Sequence, residues 1–291
     1  MAKTSLTGDN RIAEMEGILR KMSTKKGYDL DTTFKGFIDY LLWMFDPEGT
    51  KPDVWRFDTS DAKMFYDAAV SYFKLMDEVL KKKAWYDAFG DLYMALHPRG
   101  GGKGQFFTPQ DVCSITAQLC MTGMDISEAK GSMTPFGHRV CINDPAAGSS
   151  RLLLAGAAIF KQMQRDDLGY DEIMQSANRP YLIAEDLDYN CVKMSAINMA
   201  AHGCFGECVC HNSLTNPDEV MFGYIVNESM YPFPCPVPSI RKFTDPMRFV
   251  CTTSMMQRRK YYEQQETKKQ QPNPEPIKEP EIKKENQLSL W

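Results

Sequence analysis

Apolar positions in the first third of the chain recur at helical spacing. Phe34, Phe37, Ile38, Leu41, Leu42 and Phe45 follow the i, i+3, i+4, i+7 pattern of one helix face. Asp46-Pro47-Glu48-Gly49 then ends that helix. A second stripe runs through Phe65, Ala69, Tyr72, Phe73, Met76 and Leu80, and a third through Trp85, Phe89, Leu92, Tyr93 and Leu96. Stripes of this kind are core faces, so residues 1–98 are expected to form a small helical domain.

The pattern changes in the middle of the chain. Short apolar runs, Arg139–Asn143, Tyr181–Ala184, Cys208–Cys210 and Tyr224–Val226, read as strands. Leu152–Phe160 and Val192–Ala201 read as the helices between the first three. Strands alternating with helices imply an α/β fold with a parallel sheet, here over residues 99–256. Ligands of such sheets bind beyond the carboxyl ends of the strands. Arg248–Thr252 is one further plausible strand. From residue 257 to 291 the chain is rich in Lys, Glu, Gln and Pro; it cannot bury a core and is expected to be disordered.

Composition adds exclusions. With 43% hydrophobic and 25% charged residues, the chain reads as globular. No segment approaches ~18 consecutive apolar residues, and MAKTSLTGDN has no apolar stretch after its charge, so a cytoplasmic protein without a membrane span is expected. The nine cysteines include no CxxC pair and sit in apolar runs, as buried free thiols do. Cys204, Cys208, Cys210 and His211 have metal-ligating chemistry, but on a strand Cys208 and Cys210 share a side that His211 does not, so no metal site is expected there. The net charge of −4 gives no global signal for nucleic acid. DNA contacts would need a local patch: Arg99 with Lys103, or Arg241, Lys242, Arg248, Arg258, Arg259 and Lys260.

Three stretches carry candidate chemistry. Asp144-Pro145-Ala146-Ala147-Gly148-Ser149-Ser150 lies between a strand and a helix. Its small residues permit a tight turn and close approach of a ligand, and Asp144 can accept from an ammonium group. Ala184-Glu185-Asp186-Leu187-Asp188 follows the next strand. A carboxylate there can bind both hydroxyls of a ribose, while Asp188 suits a helix N-cap. Upstream, in Gly104-Gln105-Phe106-Phe107-Thr108-Pro109, Thr108 can cap the next helix with Pro109 at its first position.

In this order GQFFTP, DPAAGSS and AEDLDYNCVKMSAINMAAHG resemble the adenine-N6 DNA methylase domain of type I restriction-modification M subunits, over roughly residues 30–227. The resemblance implies a Rossmann-like S-adenosylmethionine-dependent methyltransferase core, truncated at its carboxyl end and therefore incomplete. It implies that Phe107, Thr108 and Pro109 flank the methionine part of S-adenosylmethionine, and that Asp144, Ala146 and Gly148 form the pocket floor. Asp186 takes the ribose-binding place, with Glu185 as the near alternative. Asn198, His202 and Gly203 match the following helix end. Asn212 stands where the family has an Asp beside the cofactor adenine, and it keeps a carbonyl acceptor.

The family's Asn-Pro-Pro-Tyr/Phe motif, which holds the flipped target base, is altered here. Asn227, after the fourth strand, is the preferred positional equivalent, with Asn216 as the alternative and Tyr231 or Phe233 as a stacking ring. Two functions follow from the resemblance. One is site-specific methylation of adenine N6 in DNA, with a specificity or completing subunit as a further partner. The other is a catalytically silent cofactor- or DNA-binding module. For the latter, Gln287-Leu288-Ser289-Leu290-Trp291 resembles the QLxLF peptide that docks on the bacterial sliding clamp, with Gln287 bonding to backbone and Leu288, Leu290 and Trp291 as apolar anchors.

Overall fold

The computed structural model describes residues 8–49, 55–82, 84–97, 107–123, 140–167, 180–214, 219–227 and 238–252. Four helices come first: α1 (Gly8–Lys26), α2 (Leu30–Phe45), α3 (Thr59–Lys81) and α4 (Ala88–Leu96). Their starts are set by aspartates. Asp29 accepts from the Thr32 N–H, and Asp58 and Asp61 form a reciprocal capping box. Most of the three apolar stripes turns inward, with Phe34, Phe37, Phe65, Tyr72 and Phe89 buried, while Phe73 and Leu80 of the second stripe are exposed.

After α5 (Gln110–Met121) comes the sheet region: β1 (Cys141–Asp144), α6 (Arg151–Asp167), β2 (Tyr181–Asp186), α7 (Tyr189–Ala201), β3 (Phe205–Cys210), β4 (Phe222–Val226) and β5 (Ile240–Phe243). The spatial order is β1-β2-β3-β4-β5. β1, β2 and β3 are parallel and joined through α6 and α7, as expected of βαβ units. Helix α7 has no polar stripe. Cys191, Val192, Met194, Ala196, Ile197, Met199 and Ala200 are buried around its circumference, because it lies between the sheet and helices α2 and α4. One apolar cluster therefore runs from α1 through α7 to Leu182, Ala184, Cys208 and Val226 on the sheet. The other face carries a smaller cluster of Tyr181, Ile183, Phe205, Val209, Ile225, Phe249 and Cys251.

Two expectations need correction. β4 is antiparallel to β3, and β5 to β4, so the sheet is mixed. Arg248–Thr252 is not a strand. Asp245 caps a 3-10 turn at Pro246–Arg248, and a helical turn follows, whose Val250 and Cys251 N–H groups donate to the Glu207 carboxyl at 2.8 Å each. Among the described residues no helix is long and apolar enough to cross a membrane.

Candidate functional site

The carboxyl ends of β1, β2 and β3 meet in one place. β1 ends at Asp144, whose Oδ1 accepts from the Ala146 N–H at 3.1 Å and starts the turn. The Ala147 N–H donates to the Glu185 carbonyl, tying the turn to β2. Gly148 follows at φ +58°, and its N–H donates to Asp186 Oδ2 at 2.9 Å. A side chain at Gly148 would be strained, and its Cβ would lie 3.0 Å from the Phe107 ring. Phe107 thus lies against the turn, held from behind by Tyr93 in an edge contact. Burial pushes the carboxyls of both Asp144 and Asp186 above the usual range, so each favours a cationic or hydrogen-bond-donating ligand. The loop after β3 closes the third side. Ser213 Oγ donates to the Pro145 carbonyl, and Asn212 Oδ1 accepts from the Leu214 N–H.

Phe107, Asp144, Ala146, Gly148, Asp186 and Asn212 are therefore brought together. Thr108 and Pro109 adjoin them, but Thr108 does not cap the next helix as expected. Helix α5 starts at Gln110 with Pro109 as its cap residue and no side-chain cap. Thr108 instead offers its carbonyl to Arg151 Nη1 at 3.0 Å. Asp188 caps α7 through the Asn190 N–H, as its position suggested. Glu185 is turned away from the pocket. Strand alternation sends it to the opposite face, where Oε2 is 2.6 Å from His211 Nε2.

Asn227 is not at this site. Because β4 runs antiparallel, its end at Val226 pairs with Gly206, at the start of β3 and across the sheet from Asp186. Asn227 is fully buried there. Its Nδ2 donates to the Cys204 and Ala200 carbonyls, and its Oδ1 accepts from the Ser239 N–H. No group is left over for a substrate amine. Asn216, Tyr231, Phe233, Gln287, Leu288, Leu290 and Trp291 lie outside the described residues, as do Arg99, Lys103, Arg258, Arg259 and Lys260. Of the remaining basic candidates, Lys242 lies over the Phe222 ring and Arg248 over Phe243.

The sequence reading missed what holds the turn in place. Asp87, at the start of α4, accepts from Ser149 Oγ, Arg151 Nε, Asn198 Nδ2 and the Gly90 N–H. Arg151 also reaches Asp91 at 2.6 Å. Asn198 donates a second bond to the Ser149 carbonyl. The one available signal was an Asp directly before a helical stripe.

Asn198 also leads to His202. Its carbonyl accepts from His202 Nδ1, while Nε2 accepts from the Tyr86 N–H, which fixes the neutral ring. Burial lowers the His202 pKa below the ordinary 6.5. The unfolded chain then takes up the proton first, so the stability His202 contributes is complete above its unfolded pKa and is lost as pH falls below it. Unfolding free energy should therefore drop as pH falls through 6.5 toward the lower pKa of the folded state, and His202→Gln should flatten part of that drop. Identical pH slopes in denaturant titrations of wild type and variant would contradict this.

No solved structure matches the chain. The sequence model of the N-6 DNA methylase family matches residues 84–236, which span α4, the Phe107 segment and the whole β1–β4 region that builds the pocket. With that match over more than half its length, the chain belongs to the N-6 DNA methylase family.

Proposed function

We propose that this chain binds S-adenosylmethionine at the carboxyl ends of β1, β2 and β3 and takes part in methylating adenine N6 in DNA. The observation that carries the reading is the meeting of Phe107, Asp144, Gly148 and Asp186 around one positive-φ turn. The residues fit the cofactor. Asp186 keeps lone pairs for the ribose hydroxyls after accepting from Gly148 and Asp188. Asp144 suits the cofactor ammonium, Phe107 with Thr108 and Pro109 the apolar methionine arm, and Asn212 the adenine edge. The bound cofactor supplies a methyl group made electrophilic by its sulfonium.

With Asn227 engaged elsewhere, the contacts to the target base come from outside the described fold, from this chain or from a completing subunit. The same engagement of Asn227 favours a second reading, a silent cofactor- or DNA-binding module, to which sliding-clamp docking through Gln287, Leu288, Leu290 and Trp291 would belong. Methyl transfer from labelled cofactor to mixed-sequence DNA separates the two.

Cofactor binding itself is tested by calorimetry. Wild type should bind S-adenosylmethionine or its demethylated product, and Asp186→Ala should weaken binding by ~1–3 kcal/mol through loss of the ribose hydrogen bonds. A wild type that gives no heat at millimolar ligand would sink the proposal.

A further inference from the structure

Two carboxyl groups are fully buried on the sheet face away from α7, and they are treated differently. Glu207 is satisfied. It accepts from Tyr181 Oη, the Val250 N–H and the Cys251 N–H. Among the described residues the Glu185 carboxyl has one partner, His211 Nε2, and its other oxygen, Oε1, is buried with no hydrogen bond. A buried acceptor left bare in this way costs free energy that a native fold normally recovers through some partner.

The surroundings indicate the partner. Glu185 ends β2, and His211 follows β3 on the same face, two residues past Val209, the register mate of Glu185. Cys251 is brought over them by the helical turn that Glu207 anchors. One ligand atom from each of Glu185, His211 and Cys251 lies within 4.8 Å of the others, and all three residues are buried. Carboxylate, imidazole and thiolate together are a donor set for zinc. Zinc–ligand bonds of ~2.0–2.3 Å set tetrahedral ligand atoms about 3.3–3.8 Å apart, so His211 Nε2 and Glu185 Oε2, 2.6 Å apart, would separate to admit the cation. The residues come from three separate elements, so no spacing in the sequence marks them. The sequence reading grouped His211 with Cys208 and Cys210, whose thiols are instead directed to Met199 Sδ and the Leu187 carbonyl.

We propose that Glu185, His211 and Cys251 form a zinc site that joins the carboxyl ends of β2 and β3 on the sheet face opposite Asp186. Binding replaces the proton of the Cys251 thiol, and the proton between His211 and Glu185, with the cation, and both protons leave to solvent. Water completes a tetrahedral shell. Affinity should therefore rise with pH. The inference rests on the sheet face and not on the cofactor reading, and its test involves no cofactor.

The test uses the full chain, stripped with chelator and titrated with zinc alone and, separately, with cobalt. Expected are one zinc per chain, a higher melting temperature with zinc, and a near-ultraviolet thiolate-to-cobalt absorption band. Cys251→Ser should abolish the band, while Cys210→Ser should retain it. Glu185→Gln, which keeps the shape and a hydrogen bond to His211, should bind zinc at least ten-fold more weakly. If Cys251→Ser does not fold, Glu185→Gln decides by the same titration. Absence of stoichiometric zinc in wild type, a band that survives Cys251→Ser, or unchanged zinc affinity in Glu185→Gln would each overturn the site. The first of these outcomes would leave Glu185 and His211 as a proton-sharing pair.

Discussion

Asp87→Ala is expected to destabilise the protein by about 3–5 kcal/mol, the effect of removing one member of a buried charged network. Asp87 is 1% exposed and accepts four hydrogen bonds. Its removal leaves the Arg151 guanidinium held only by Asp91 and the Thr108 carbonyl, and strips one partner each from Ser149 and Asn198. Alanine also removes the N-cap of α4, a loss of ~1 kcal/mol by itself. An exposed i, i+4 pair such as Asp77–Lys81 sets the contrast: its loss should cost about 0.3–0.5 kcal/mol. Urea unfolding of both variants, compared at equal m-value, provides the measurement. A loss below about 1 kcal/mol for Asp87→Ala would mean that the network does not hold the turn.

The network also ties α4 to the turn at Gly148. The turn at Gly148 carries two positive-φ residues, Gly148 and Ser150, and the non-glycine one is costly unless its surroundings fix it. Asp87 from α4 and Asn198 from α7 provide that fixing from two sides. A mutation in α4 should thus reach the ligand pocket without touching it.

Much of this was legible in the sequence, and the illegible parts have definite causes. The stripes at Phe34–Phe45, Phe65–Leu80 and Trp85–Leu96 gave helices because burial on one face imposes its period directly. The meeting of Asp144, Gly148 and Asp186 was legible because they sit where strands end, and strand ends can be located from short apolar runs. Strand direction was not legible. Tyr224–Val226 is equally apolar whether it pairs parallel or antiparallel. The pairings of Asp87 with Arg151 and of Glu185 with His211 and Cys251 join residues far apart in the chain, and a single sequence holds no trace of them.

Asn227→Ala should reduce stability by about 2–4 kcal/mol and leave cofactor affinity unchanged, the reverse of what a catalytic residue in the pocket would do. Alanine removes two donated bonds, to Cys204 and Ala200, and one accepted from Ser239, all in the buried interior. The Ala200 carbonyl keeps its bond from the Gly203 N–H, so the loss is smaller than three bare groups at ~1–3 kcal/mol each would give. Backbone conformation adds to it. Asn227 lies at φ +61°, which asparagine tolerates and alanine resists by about 1–2 kcal/mol. Asn227→Gly separates the two contributions, since glycine adopts that φ freely and loses only the side-chain bonds. The glycine variant should therefore fall between wild type and alanine in urea unfolding. Calorimetry with S-adenosylmethionine on the folded variants should give the wild-type affinity. If Asn227→Ala instead keeps full stability and loses methyl transfer to DNA, then β4 pairs differently in solution and its end faces the pocket after all.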